Sequence, residues 1–302
     1  MSLMKTYDFI ILTDDTYVQA PTATTQNCWQ EDHLLIEALE RKGFMVGRKS
    51  WSDQRFDWTE TKAAIFRTTW DYFDRFDEWK TWLQRISGKV RLINQAGLVY
   101  WNMDKHYLRD LQAKGVNIPK TRYIEIGEKT DLLALHQQTG WKETILKPCI
   151  AGSARHTYRL NPKNLEQHEA RFQELISREA MMLQPFQRNI LTQGEISLIV
   201  IGGHYSHSVI KKAKAGDFRV QDNFGGTVSL YKPTAEEMGF AEKAVAACQS
   251  LPAYARVDII RDNHDQLALI EIELIEPELW FRLKPEAADA LADFLTDRTT
   301  EP

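Results

Sequence analysis

The chain has 302 residues, is 43% hydrophobic and carries a formal net charge of −4 with both signs dispersed, which suits two ordinary globular cores. No basic stripe interleaved with aromatics is present, so a nucleic-acid partner is excluded. No apolar run is long enough to span a bilayer and no cleavable leader is visible, so we expect a cytoplasmic protein with no membrane partner, starting naturally at Met4 after an MSL remnant.

The first ninety or so residues alternate strands with helical patterns. YDFIIL (7–12) and AAIFRT (63–68) read as buried strands, and EDHLLIEALERKG (31–43) spaces its apolar residues along one helix face and stops at a glycine. This βαβ alternation predicts a parallel sheet. Ligands of such sheets collect at the carboxyl ends of strands, which makes RTTWDY (67–72) either a pocket wall or a loop packed by Trp70 and Tyr72.

From Asn94 the helices lengthen and antiparallel strand signals appear. NMDKHYLRDLQAKG predicts a helix capped at Asn102 and stopped at Gly115, with Lys105 in its first turn, where a phosphate or solvent would face the ammonium. TILKPCIAGSARHTYRL predicts a strand carrying Lys147, a loop with Gly152 and Ser153, and a second strand. A lysine inside a strand is costly unless its ammonium reaches an anion or water. NPKNLEQHEARFQELI predicts a helix entered through Asn161 and Pro162, MMLQPFQ a strand, and GEISLIVIGGHYSHSVI a hairpin around Gly202 and Gly203. Thr234 and Glu237 stand at capping-box spacing at the head of a core-packing helix. The three cysteines lie far apart and the eight histidines form no metal motif, so neither set suggests a metal site.

YARVDIIRDNHDQLALIEIEL (254–274) predicts two strands joined by a polar turn. If Asp262 pairs with Leu267, Asp258 falls opposite Glu271; Val257, Ile259, Ala268, Ile270, Ile272 and Leu274 then share a core face, and Asp258, Glu271 and Glu273 share the other. Carboxylates so placed repel unless a cation joins them, and oxygen ligands of this kind suit Mg²⁺ with nucleotide phosphates; the other reading is a solvated acidic face. GxxxxGK[ST], GxGxxG and GxSxG are all missing, which removes P-loop, dinucleotide and serine-hydrolase chemistry.

Taken in order, Lys105, Lys147 in LKP, QPFQ, Gly194-Glu195, Arg219 in GDFRVQDNFGG, Asp258 and EIE resemble the ATP-grasp ligases. Within them the chain is most similar to the branch of prokaryotic glutathione synthetase and ribosomal S6 modification ligase, O-ureidoserine cyclo-ligases included. The resemblance implies an α/β protein of ATP-grasp fold. A parallel-sheet unit (1–93) would precede an ATP-grasp unit (94–302) containing a lid at about 119–183 and a C-terminal antiparallel sheet.

It implies ATP and Mg²⁺ as cofactors, with Lys105 and Lys147 on the phosphates, Ser153 and Arg155 in the lid loop, Gln184, Pro185, Phe186 and Gln187 along adenine, and Glu195 on the ribose. Asp258, Glu271 and Glu273 would hold Mg²⁺, with a glutamate at Glu273 where the family usually has asparagine. The implied reaction is carboxylate attack on the γ-phosphate to give an acyl phosphate, then amine attack, with Lys147 and Arg219 offsetting charge; Arg219 could instead pair with Asp217 or Asp222. The substrate would be a small amino acid or peptide, met by Arg67, Trp70 and Asp71 and by Trp280 and Phe281, and a homo-oligomer is compatible. A non-catalytic nucleotide-binding protein of the same fold is the alternative.

Overall fold

The computed structural model describes residues 5–19, 21–22, 25–214, 216–220 and 225–297; Met4 and Asp222 lie outside them. Strands β1 (Tyr7–Thr13), β2 (Val46–Ser50), β3 (Thr61–Thr68) and β4 (Arg91–Ile93) form a parallel sheet in the order β2-β1-β3-β4, connected through helices α1 (Gln26–Arg41) and α2 (Phe76–Ile86). Such a sheet is covered on both faces, so its central strand must be apolar throughout. Accordingly Phe9 and Ile11 join one core with Leu35 and Ile65, while Ile10 and Leu12 join another with Trp51, Phe66 and Trp79.

Helices α3 (Ala96–Asn102) and α4 (Tyr107–Ala113) replace the single helix expected from Asn102. The buried amide of Asn102 donates to the carbonyl of Ile272 at 2.8 Å and accepts from the N–H of Leu274 at 2.9 Å, so it clamps a strand instead of capping a helix. Lys105 consequently sits in the turn between α3 and α4, not in a first helical turn.

Strands β5 (Arg122–Ile124), β6 (Thr144–Pro148), β7 (Tyr158–Leu160) and β8 (Met181–Pro185) form a second, antiparallel sheet in the order β5-β8-β6-β7. Helices α5 (Leu132–Thr139) and α6 (Leu165–Ile176) cover one face, their leucines packing on Ile124, Leu146, Leu160, Met181 and Leu183. Helix α6 begins after Asn164, one turn later than the Asn161-Pro162 signal, because Asn161 and Asn164 close a turn on each other's backbone first. The period-2 alternation leaves Ile145 and Lys147 pointing away from this core.

After α7 (Ile190–Gln193), strands β9 (Glu195–Ile201), β10 (His204–Lys212) and β11 (Thr227–Leu230), helix α8 (Ala235–Ala246), strands β12 (Tyr254–Arg261) and β13 (Leu267–Glu273) and helix α9 (Glu286–Asp297) complete the order. The five strands make a third, antiparallel sheet, β11-β10-β9-β12-β13. One face is apolar and packs on α4 and α8 through Leu198, Val200, Val257, Ile259, Leu269 and Ile272. The opposite face is divided along each strand. In β9 Glu195 lines an open cleft and the buried Ser197 donates to Asp258 behind it, while Ile199 and Ile201 are packed with Phe9, Ile65 and α9.

Asp258 does lie opposite Glu271, but by a different path from the one assumed. The turn pairs Arg261, not Asp262, with Leu267, and an extra residue between Leu269 and Glu271 restores the offset. That β-bulge turns Ile270 into the cleft and places Leu269 in the core, reversing the faces expected from simple alternation.

Candidate active site

A cleft of about 460 Å³ separates the second sheet from the third. Its apolar end is built by Ile145, Pro185, Phe186, Ile260, Ile270 and Val220. The guanidinium of Arg159 lies 3.9 Å from the Phe186 ring centre and Phe218 meets the same ring edge-on, fixing a flat aromatic wall. All of Gln184–Gln187 lines this end; Gln184 donates to Thr121 at 2.9 Å and Gln187 to the carbonyl of Pro185 at 2.8 Å.

The charged end begins one alternation further along β6. Lys147 has no carboxylate in ion-pair reach among the described residues, and burial pulls its ammonium below the usual lysine range. Lys105, 6% exposed, donates to Glu271 at 2.9 Å and to the carbonyl of Ala151. Burial disfavours its charge, but Glu271 outweighs this and holds it above the usual range. Between them the loop after β6 presents Ala151, Gly152, Ser153, Ala154 and Thr157. Ser153 and Ala154 both have positive φ (50° and 57°), and a Cβ on Gly152 would come within 2.7 Å of Phe73. Arg155 is turned out of the cleft onto Glu179 (2.8 and 3.1 Å) and Asp74 (3.2 Å).

The third sheet supplies a ladder of buried charges. Glu195 pairs with Lys211, its register partner on β10; burial raises its carboxyl and Lys211 opposes the rise. The turn before Glu195 needs Gly194, whose φ is +80° and whose Cβ would stand 2.5 Å from the carbonyl of Lys211. Asp258 accepts from Ser197 and from Arg256 (2.9 and 3.1 Å); burial raises its carboxyl, but Arg256 and Lys211 win and hold it at about 2. Glu271 is held below its usual value by Lys105 and Lys147 against burial, whereas burial beside Glu271 and Asp258 drives Glu273 well up despite its contact with Arg256.

Asp258, Glu271 and Glu273 thus share one wall, but Arg256 stands between Asp258 and Glu273 and their oxygens do not converge on one point. Among the described residues only Asp104, His106 and Cys149 bring possible ligand atoms within 4.8 Å of one another. Sequence reasoning missed Arg256, Lys211 and Glu276. The first was legible as the residue two before Asp258, hence on the same face; Lys211 required the register of the hairpin.

Of the residues expected at the substrate, Trp70 lines the cleft and donates its indole N–H to the carbonyl of Glu276 at 2.9 Å. Arg67 is 1% exposed and held by Glu31 (3.0 Å) and Asp32 (3.6 Å), so it is a buried ion-pair residue and not a cleft residue. Asp71 faces Trp51 and Arg75, each at 2.7 Å. Trp280 and Phe281 are buried in the core shared with α9. Arg219 lines the cleft and also forks onto Asp217 (2.8 and 3.1 Å), which drops the Asp217 carboxyl far below its usual range.

An apolar slot running into lysines, a backbone-lined loop and a carboxylate wall suits a nucleotide. Residues 110–277 match the RimK-like ATP-grasp domain. The chain belongs to the RimK-like ATP-grasp family. Residues 9–94 match the N-terminal domain of D-cycloserine synthetase DcsG. The cycloserine biosynthesis protein DcsG of Streptomyces lavendulae is 28% identical over 283 residues, covering 87% of this chain and 92% of that one. The crystal structure of D-cycloserine synthetase DcsG superposes with a TM-score of 0.84 at 26% identity, covering 96% and 99%. The D-alanine–D-alanine ligase of Bacillus anthracis, at 13% identity, shares the fold alone (TM-score 0.64, 96% of each chain). The fold is therefore the α/β ATP-grasp fold, and this RimK-like protein is an ATP-dependent ligase forming a carbon–nitrogen bond. The comparisons give no support to a non-catalytic nucleotide-binding protein. No described helix is long and apolar enough to cross a membrane.

Proposed function

We propose that this ligase activates the carboxylate of a small amino-acid substrate and closes it on a nitrogen of the same molecule. The cyclising mode is favoured because the similarity to the cycloserine biosynthesis protein runs over almost the whole chain, first unit included. In this reading the unit up to residue 93 shapes the substrate end, residues 94–302 form the ATP-grasp unit with its lid at about 119–183, and the protein works in the cytoplasm on a small molecule.

The observation that carries the site assignment is the half-buried ammonium of Lys147, with no carboxylate in ion-pair reach among the described residues, facing a wall of carboxylates. An isolated buried cation is costly, and a polyphosphate would offset that cost. ATP would lie with its base between Gln184–Gln187 and Ile260, its ribose at Glu195, and its phosphates at Lys105, Lys147 and Ser153. Arg155, Arg67 and Asp71 have no part in this reading.

The acidic wall fits Mg²⁺ in chemistry: hard oxygen donors, few enough that phosphates and waters complete the shell. Asp258, Glu271 and Glu273 would hold it, and there it supplies charge neutralisation for the phosphates. The substrate carboxylate attacks the γ-phosphorus, the bond to ADP breaks, and the acyl phosphate forms. The nitrogen then attacks the acyl carbon and phosphate leaves with the bonding pair. Lys147 and Arg219 are placed to neutralise the oxygens on which charge develops.

The test is ADP release across amino acids, dipeptides and ureido amino acids, with hydroxylamine added to trap an acyl phosphate. A hydroxamate from one acid, dependent on Mg²⁺, supports the reading; ADP release with no trapped or cyclised product from any acid overturns it.

A further inference from the structure

The mixed donor set of Asp104, His106 and Cys149 lies outside the cleft lining and has no part in the ligase reading. Asp104 and His106 belong to the turn between α3 and α4 that carries Lys105, and Cys149 directly follows β6, the strand that carries Lys147. The N–H of Lys105 donates to the Cys149 carbonyl at 2.9 Å, so turn and strand end already meet through their backbones. A carboxylate oxygen, an imidazole nitrogen and the Cys149 sulfur all stand within 4.8 Å of one another. Around a tetrahedral Zn²⁺ such donors lie about 3.3–3.8 Å apart, so an adjustment of roughly 1 Å closes the set.

Local structure accounts for only part of this arrangement. Asp104 Oδ1 accepts from the His106 N–H at 2.9 Å and from Nδ1 at 2.6 Å, a turn that needs no ligand. With its proton on Nδ1, the ring keeps a bare lone pair on Nε2. That atom is shielded from water and makes no hydrogen bond among the described residues, yet a Glu125 carboxylate oxygen stands 3.3 Å away. Two acceptors face each other at that distance only when a proton or a cation joins them. A proton would serve the His106–Glu125 pair alone, whereas the fully buried thiol at chelating distance offers a soft cation a third kind of donor. The imidazole is stacked on Tyr123 at 4.6 Å, which holds its plane, and the 40% exposed side chain of Asp104 opens the set to solvent.

We propose that Asp104, His106 and Cys149, with Glu125 beside them, form a binding site for a thiophilic divalent ion of the zinc class, separate from the Mg²⁺ wall. Sulfur with imidazole and carboxylate selects such ions over Mg²⁺, which takes oxygen donors. On binding, the sulfur–metal bond forms and the thiol proton leaves to solvent. The bound ion fastens the Lys105 turn to the end of β6, and so ties together the two segments that carry the cleft lysines. The inference stands apart from the ligase reading, since it needs neither nucleotide nor substrate.

Co²⁺ is the probe, because a cobalt–thiolate bond gives a near-ultraviolet charge-transfer band that oxygen and nitrogen ligands do not. The full-length, reduced, nucleotide-free protein is titrated with Co²⁺ and then with Zn²⁺. The expected result is a thiolate band that saturates at one ion per chain and is bleached by Zn²⁺. Cys149→Ser should abolish the band, and His106→Gln should weaken Co²⁺ binding at least about 10-fold, the smallest loss seen even for outer-shell partners. Cys28→Ser and Cys248→Ser should keep both band and affinity. His106→Gln changes a partly exposed side chain and decides the matter even where Cys149→Ser fails to fold. A wild type with no thiolate band overturns the site, whether Co²⁺ stays free or binds the acidic wall through oxygens alone. A band that survives in Cys149→Ser, or full affinity in His106→Gln, overturns it as well.

Discussion

Arg256→Met tests whether the acidic wall is a cation site by removing the cation the fold supplies. The guanidinium lies 2.9 and 3.1 Å from Asp258 and also contacts Glu273, with only 11% of its side chain exposed. Methionine preserves most of the length and none of the charge. At pH 8, without divalent ions, Asp258 and Glu273 lose their shared partner and only Lys211, 3.5 Å from Asp258, remains close. Breaking a buried pair from one side costs about 3–5 kcal/mol. At about 2–4 °C per kcal/mol for large domains, Tm should fall by roughly 6–20 °C. Mg²⁺ with ADP should then stabilise the variant more than the wild type, whose Arg256 already occupies part of the wall; for scale, ligand at about 100 times Kd adds about 2.7 kcal/mol. Differential scanning fluorimetry with and without Mg²⁺·ADP reads both terms without turnover. A variant within about 2 °C of wild type in the absence of Mg²⁺, or one that gains no more than wild type from Mg²⁺·ADP, refutes the reasoning.

Gly194→Ala should displace Glu195, because the new Cβ would sit 2.5 Å from the carbonyl of Lys211 in a left-handed backbone conformation. We expect a loss of about 1–3 kcal/mol in urea unfolding and weaker ATP-analogue binding; an unaltered midpoint and affinity would contradict it. Arg67→Met should cost about 3–5 kcal/mol of stability by stranding Glu31 and Asp32, while KM measured on the folded fraction stays within about twofold. His207 is buried with its ring nitrogen 2.8 Å from the carbonyl of Leu279, and burial pushes it down to about 4 from 6.5. The unfolded chain therefore binds the proton first, and about 3 kcal/mol of stability is lost as pH falls from 6.5 to 4. In His207→Gln the pH dependence over that window should flatten, which equilibrium unfolding at several pH values will show.

The architecture was largely legible because period-2 and period-3.6 patterns survive folding. The site was legible only where function and local pattern coincide. Lys147 stood out because an ammonium inside an apolar strand is anomalous on its own terms. Asp258 and Glu271 were paired correctly although the turn was misplaced by one residue, the bulge after Leu269 restoring the offset. Arg67 misled because a strand-end arginine near an aromatic loop looks the same whether it faces a ligand or the backs of Glu31 and Asp32. Asn102 misled in the same way: a good capping residue is also a good clamp for a strand edge, and only the position of β13 decides between the two.

The joint core of the parallel sheet and α9 bears on how this ligase can be recombined with its relatives. Leu291, Ala292 and Leu295 interleave with Phe9, Leu35 and Ile65, and Arg41 holds Asp289 at 2.6 Å. A swap of the first unit cut near Asn94 would separate that sheet from the helix that seals it. An exchange intended to transplant substrate preference has to carry both ends of the polypeptide together, with the nucleotide-binding middle as the insert.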